Sequence, residues 1–123
     1  MNLKLNHLDL QVADVQRSVD LFERLLGLRL QSSRTSPALA ILSDEAGFTL
    51  VLQRRKGEAP YPDGFHFGFL VDDPATVRTF QSEARGWGSL QVSDVIENGR
   101  GVLTYVRTWD GILLEVSWQR PRD

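Results

Sequence analysis

The sequence predicts an α+β domain: two βαβββ modules forming a cupped mixed sheet, with the helices on its outer face. Three observations carry this. One pattern occurs twice at a constant offset, each copy holds an amphipathic stretch behind an aspartate, and the remainder reads as short alternating strands between turn dipeptides. The 123 residues suffice for one compact core and leave little room for a second domain.

The repeat is read directly. Asn6-His7-Leu8-Asp9-Leu10-Gln11-Val12-Ala13-Asp14 lies over Phe65-His66-Phe67-Gly68-Phe69-Leu70-Val71-Asp72-Asp73, and the same offset carries Leu21 onto Phe80 and Gly27 onto Gly86. Asp14 and Asp73 suit helix N-caps, because a carboxylate accepts from a free N–H of the first turn. Pro74 follows at the first helical position, where its missing N–H costs nothing. Val15, Val19, Phe22 and Leu26 make one apolar stripe of the first helix, which Gly27 ends. Val77, Phe80 and Ala84 make a thinner stripe from about Pro74 to Arg85.

Strand candidates follow each helix: Leu28–Ser33, Leu39–Ser43 and Phe48–Arg54 in the first copy, and Ser89–Asp94, Val102–Thr108 and Ile112–Trp118 in the second. Ser36-Pro37, Asp44-Glu45-Ala46-Gly47, Asn98-Gly99 and Asp110-Gly111 mark the turns. Module 1 covers about 1–56, the Pro- and Gly-rich linker 57–64, and module 2 about 65–119, within one domain 1–123.

Parity separates the faces of each strand. Leu8, Leu10 and Val12 should pack under a helix, which leaves His7, Asp9 and Gln11 on the opposite side. Likewise Phe67, Phe69 and Val71 oppose His66, Gly68 and Leu70. In the last strand Ile112, Leu114, Val116 and Trp118 oppose Leu113, Glu115 and Ser117. The chain's two histidines therefore both project from the sheet surface that the helices leave bare. A carboxylate within Ile112-Leu113-Leu114-Glu115-Val116 is costly unless a cation meets it. Two histidines at equivalent places and one strand-embedded glutamate form the ligand set of a 2-His-1-carboxylate metal site with open positions.

Composition excludes several classes. A formal net charge of −2 argues against a general nucleic-acid binder, which needs a basic face. The one basic run, Arg54-Arg55-Lys56, reads as a solvated strand end. No apolar run approaches the ~20 residues that span a bilayer. The absence of cysteine rules out disulfides, thiolate ligands and a cysteine nucleophile. The N-terminus does not read as a signal peptide, so a cytoplasmic location is expected.

In this order and spacing, Asn6-His7-Leu8, the run from Val12-Ala13-Asp14 to Leu26-Gly27, Phe65-His66-Phe67-Gly68-Phe69, and Asp110-Gly111 followed by Ile112-Leu113-Leu114-Glu115 resemble the vicinal oxygen chelate superfamily. That superfamily includes glyoxalases, type I extradiol dioxygenases and fosfomycin-resistance enzymes, and the resemblance covers essentially the whole chain. It implies His7, His66 and Glu115 as ligands of a divalent Fe, Mn, Zn or Ni ion, and a small substrate that chelates the metal through oxygen. It also implies Tyr105 facing the substrate, with Arg107 able to pair with an anionic substrate group. Asp9 or Gln11 could orient a ligand histidine.

Departures are equally specific. Aligning the hairpins on Gly47 and Gly111 sets Val51 opposite Glu115, where glyoxalases resemble one another in carrying a fourth ligand; Gln53, on the same face, is a distant substitute. The family's Asp-Pro-Asp-Gly turn reads Thr108-Trp109-Asp110-Gly111 here. Trp87, Trp109 and Trp118 read as packing or interface residues rather than a ligand-stacking set. The resemblance further implies a homodimer with shared sites, His7 of one subunit joining His66 and Glu115 of the other. The alternative it leaves open is a metal-free dimeric drug-binding protein similar to bleomycin-resistance proteins.

Overall fold

The structure, a computed structural model, describes residues 1–31 and 36–122. The chain divides into two compact units, Met1–Glu58 and Ala59–Asp123, and each carries one helix and one mixed sheet.

Unit 1 runs β1 (His7–Val12), α1 (Val15–Arg24), β2 (Arg29–Leu30), β3 (Leu39–Ser43) and β4 (Thr49–Arg54). Its sheet has the order β1-β4-β3-β2, with β1 parallel to β4. Asp14 caps α1 by accepting from the Arg17 N–H at 3.0 Å, and Gly27 follows in the left-handed region at φ 74°, as the sequence predicts. Val15, Val19, Leu21 and Phe22 of α1 are buried with Leu10, Val12, Ala40, Leu42, Leu50 and Leu52 of the sheet. Each such side chain removed from water contributes roughly 1.5–3 kcal/mol. Ser32 and Ser33 of the expected Leu28–Ser33 strand lie outside the described residues.

Unit 2 runs β5 (His66–Leu70), α2 (Pro74–Arg85), β6 (Gln91–Val92), β7 (Ile96–Asn98), β8 (Gly101–Arg107) and β9 (Leu113–Gln119). The sheet order is β5-β9-β8-β6, with β7 also on β8. Asp73 caps α2 through the Thr76 N–H at 2.8 Å and the Thr76 hydroxyl at 2.9 Å. Beneath α2 lie Val102, Thr104, Val106, Leu114 and Val116, the inward set that strand alternation assigns.

The sequence predicts one strand over Ser89–Asp94; the structure has the shorter β6 there and, beyond it, the unpredicted β7. Val92 pairs with Val106 and Ile96 with Leu103, so the first strand uses one more residue than β8 over this stretch, as in a β-bulge. The Ser93 hydroxyl bridges the irregularity by accepting the Tyr105 N–H at 2.9 Å. No helix of the described residues is long and apolar enough to cross a membrane.

Candidate functional site

In unit 2 the strand order β5-β9-β8 fixes the neighbours of the strand-embedded carboxylate. Glu115 pairs with Gly68 on one side and with Tyr105 on the other, so these three residues form a row across the face opposite α2. A side chain at position 68 would crowd this row. A Cβ at that position would lie 3.1 Å from the Glu115 carbonyl oxygen, 3.3 Å from its Cβ and 3.6 Å from its Oε2, inside or at ordinary contact distance. Glycine thus leaves the carboxylate room over its own backbone.

On the other side, the Tyr105 hydroxyl lies where it can donate to the Glu115 carboxylate. That hydrogen bond, then burial, then the charge of Glu115 raise the Tyr105 pKa above its ordinary value. Deprotonation would lose the bond and set two negative charges together. Tyr105 therefore keeps its proton beside Glu115. Its ring also meets the His66 ring edge to face, with centroids 6.1 Å apart.

His66 is exposed, and its Nδ1 lies 3.1 Å from the Gly64 carbonyl oxygen. A carbonyl only accepts, so Nδ1 carries the proton, and the Nε2 lone pair is left for another partner. Arg107, on the same strand face as Tyr105, donates to the Gly111 carbonyl at 3.0 Å and the Asp63 carbonyl at 3.3 Å. These bonds brace the linker that ends in Gly64 against the β8–β9 turn, so Arg107 acts on the scaffold around His66.

Unit 1 repeats the histidine device by other means. The His7 Nδ1 lies 2.7 Å from Asn6 Oδ1, and as the donor to that oxygen it leaves Nε2 open. Orientation of His7 therefore comes from Asn6, while Asp9 is engaged by the Gln53 amide, which donates to its Oδ2. Thr49 pairs with His7 and Val51 with Asp9. This matches Leu113 with His66 and Glu115 with Gly68, so Val51 does occupy the ladder position of Glu115.

Among the described residues, no group of three or more His, Cys, Asp or Glu side chains gathers to hold a metal ion. Within unit 2 the structure brings His66, Glu115 and Tyr105 together, and His7 stands on the sheet of unit 1. Sequence reasoning passed over four contributors: Asn6, Gly64, Gly68 and Ser93. Asn6 and Gly64 sit one and two residues before a histidine, a local signal. The other two depend on cross-strand pairing. Trp118 is half-buried under the Arg120 guanidinium, 5.5 Å from the ring centroid, in keeping with packing.

Comparison with known proteins fits this geometry. Residues 4–116 match the model of the Glyoxalase/Bleomycin resistance protein/Dioxygenase superfamily, and no curated protein matches. A possible glyoxalase from Bacillus cereus is similar over 94% of this chain and 99% of its own, at 29% identity and a TM-score of 0.82. A genomically encoded fosfomycin resistance protein from Listeria monocytogenes shares the fold at 16% identity and TM-score 0.81, over 98% of this chain and all (100%) of its own. So does the bleomycin-binding protein of Streptomyces verticillus, solved with copper(II)-bleomycin, at 17% identity and TM-score 0.69, over 98% and 99%. With its two βαβββ-type units and a family match over nearly its whole length, the chain belongs to the glyoxalase/bleomycin resistance protein/dioxygenase superfamily.

Proposed function

We infer that this protein is a metal-dependent enzyme of the glyoxalase/dioxygenase type, acting on a small substrate that chelates a divalent ion through oxygen atoms. The observation that carries the reading is the pair of oriented histidines. In both, Nδ1 is tied to an oxygen on an exposed residue, the arrangement that prepares an imidazole to ligate through Nε2. The Glu115 carboxylate, beside Gly68 and close to Tyr105, adds an anionic oxygen.

Two imidazole nitrogens and a carboxylate suit Fe²⁺, Mn²⁺, Zn²⁺ or Ni²⁺, and His7, His66 and Glu115 would hold the ion. When bound, it supplies Lewis acidity to a coordinated substrate oxygen. The chain's own residues do the rest. Tyr105 keeps its proton beside the Glu115 carboxylate. Arg107 and the Gly64 carbonyl fix the His66 ring, and Asn6 fixes the His7 ring. In this reading the protein works in the cytoplasm as a homodimer, with His7 of one subunit completing the site of the other.

The test is the metal content of protein purified without chelators, by elemental mass spectrometry, beside His7→Ala, His66→Ala and Glu115→Ala. Near-stoichiometric metal in the parent and its loss in each variant is expected. Absence of metal even after reconstitution, with tight binding of an aromatic drug, would overturn the enzyme reading in favour of a drug-binding protein. A monodisperse monomer that still binds metal would refute the shared site.

A further inference from the structure

The two units differ at one ladder position in a reciprocal way. In unit 2 the pair is Gly68 on β5 and Glu115 on β9; in unit 1 the equivalent pair is Asp9 on β1 and Val51 on β4. The preceding pairs, His66 with Leu113 and His7 with Thr49, establish that these positions correspond. Where unit 2 carries its carboxylate on the last strand beside a residue without a side chain, unit 1 carries it on the first strand beside a valine. The carboxylate has crossed one strand, a displacement of about 4.8 Å.

We propose that Asp9 is a further ligand of the metal centre, supplying from β1 the carboxylate that Val51 withholds from β4. The proposal rests on the metal-dependent reading above. His7 and Asp9 are alternate residues of one strand, so their side chains leave the same face about 7 Å apart along it. An ion above that face can be reached by both. Val51 offers no donor atom. The Gln53 amide engages Oδ2 of Asp9, and a carboxylate has a second oxygen with its own lone pairs. The hydrogen bond therefore orients the group while Oδ1 remains a donor for a cation. Asp9 is exposed while Gln53 on the neighbouring strand is half-buried, so the carboxylate is presented from a fixed support. A site with two imidazoles and two carboxylates neutralises a divalent ion and still leaves positions for a chelating substrate.

The experiment is a Mn²⁺ titration of the full chain, followed by electron paramagnetic resonance of the free ion. The proteins are the parent, Asp9→Asn, Glu115→Gln, and the double variant Asp9→Gly with Val51→Glu. Asparagine keeps the shape of Asp9 and an oxygen for Gln53, and removes only the charge. Asp9→Asn is expected to weaken Mn²⁺ binding by about tenfold or more, in the range that loss of a metal-site group produces. The double variant, which returns the carboxylate to the last strand, is expected to recover most of that loss. Unchanged affinity in Asp9→Asn, with loss in Glu115→Gln, overturns the role of Asp9 and leaves the enzyme reading intact. Loss in Asp9→Asn without recovery in the double variant overturns the strand-exchange argument. A parent protein that binds no Mn²⁺, Zn²⁺, Fe²⁺ or Ni²⁺ overturns the metal reading itself.

Discussion

Replacing Gly68 by alanine tests the packing on which the Glu115 carboxylate depends. The added Cβ would sit 3.1 Å from the Glu115 carbonyl oxygen and 3.3 Å from its Cβ, against ordinary carbon contacts of about 3.5–4.0 Å. Both opposing atoms belong to the β9 backbone or lie next to it, so no side-chain rotation relieves the contact. The strands must part by a few tenths of an ångström. Overpacking of this kind costs about 1–2 kcal/mol, partly offset by the ~0.4–1 kcal/mol that alanine contributes by restricting the unfolded chain. Gly57→Ala is the control, because a Cβ there meets nothing within 4 Å and only the favourable contribution applies. Urea unfolding of the two variants should therefore differ by about 1–2 kcal/mol, with Gly68→Ala the weaker. Equal stabilities would refute the close-approach argument. A second readout follows Glu115 itself: if the new methyl group displaces the carboxylate, the Tyr105 titration moves back toward its ordinary value.

Three further outcomes follow. With two tyrosines in the chain, Tyr61→Phe leaves one phenol for ultraviolet titration of the metal-free protein. Its midpoint should lie above the ordinary 10.0 and fall in Glu115→Gln; an unmoved midpoint would remove the Tyr105–Glu115 bond. Because the folded-state pKa of Tyr105 is raised, its contribution to stability is complete below the unfolded value and is lost as pH rises through the folded one. Asp73 behaves oppositely: its hydrogen bonds from Thr76 lower its pKa below 3.8, so its stabilisation is present above that value and lost as pH falls through the folded pKa. Asp73→Asn should retain the cap at neutral pH and flatten the acid limb of thermal melts; an unchanged limb would contradict this. Arg107→Gln should cost about 1–2 kcal/mol through its lost bonds to the Gly111 and Asp63 carbonyls. An effect confined to KM, with stability intact, would instead make Arg107 a substrate contact.

The sequence by itself determined whatever depends on neighbouring residues. The paired aspartate caps, the Pro74–Arg85 helix, the glycine after α1 and the alternation within each strand are short-range properties, set by local hydrogen bonding and sterics. Alternation was enough to set His66 and Glu115 opposite the apolar sets, because side chains switch sides at every residue of a strand; the resemblance added Tyr105. The repeat then allowed one hairpin to be aligned on the other, and the pairing of Val51 with Asp9 agrees with that alignment.

Tertiary structure decided which residues on a face are neighbours. Register is a property of two segments distant in the chain, and a strand's own residues state its faces without stating its partner. So the Gly68–Glu115–Tyr105 row, the Asp9–Val51 exchange and the Ser93 irregularity emerged only with the ladders in place. Arg107 shows the same limit. Parity grouped it with Tyr105, and only the fold shows its guanidinium donating to a carbonyl 44 residues away in sequence. The chemistry available to a charged side chain depends on which backbone the fold brings within its reach.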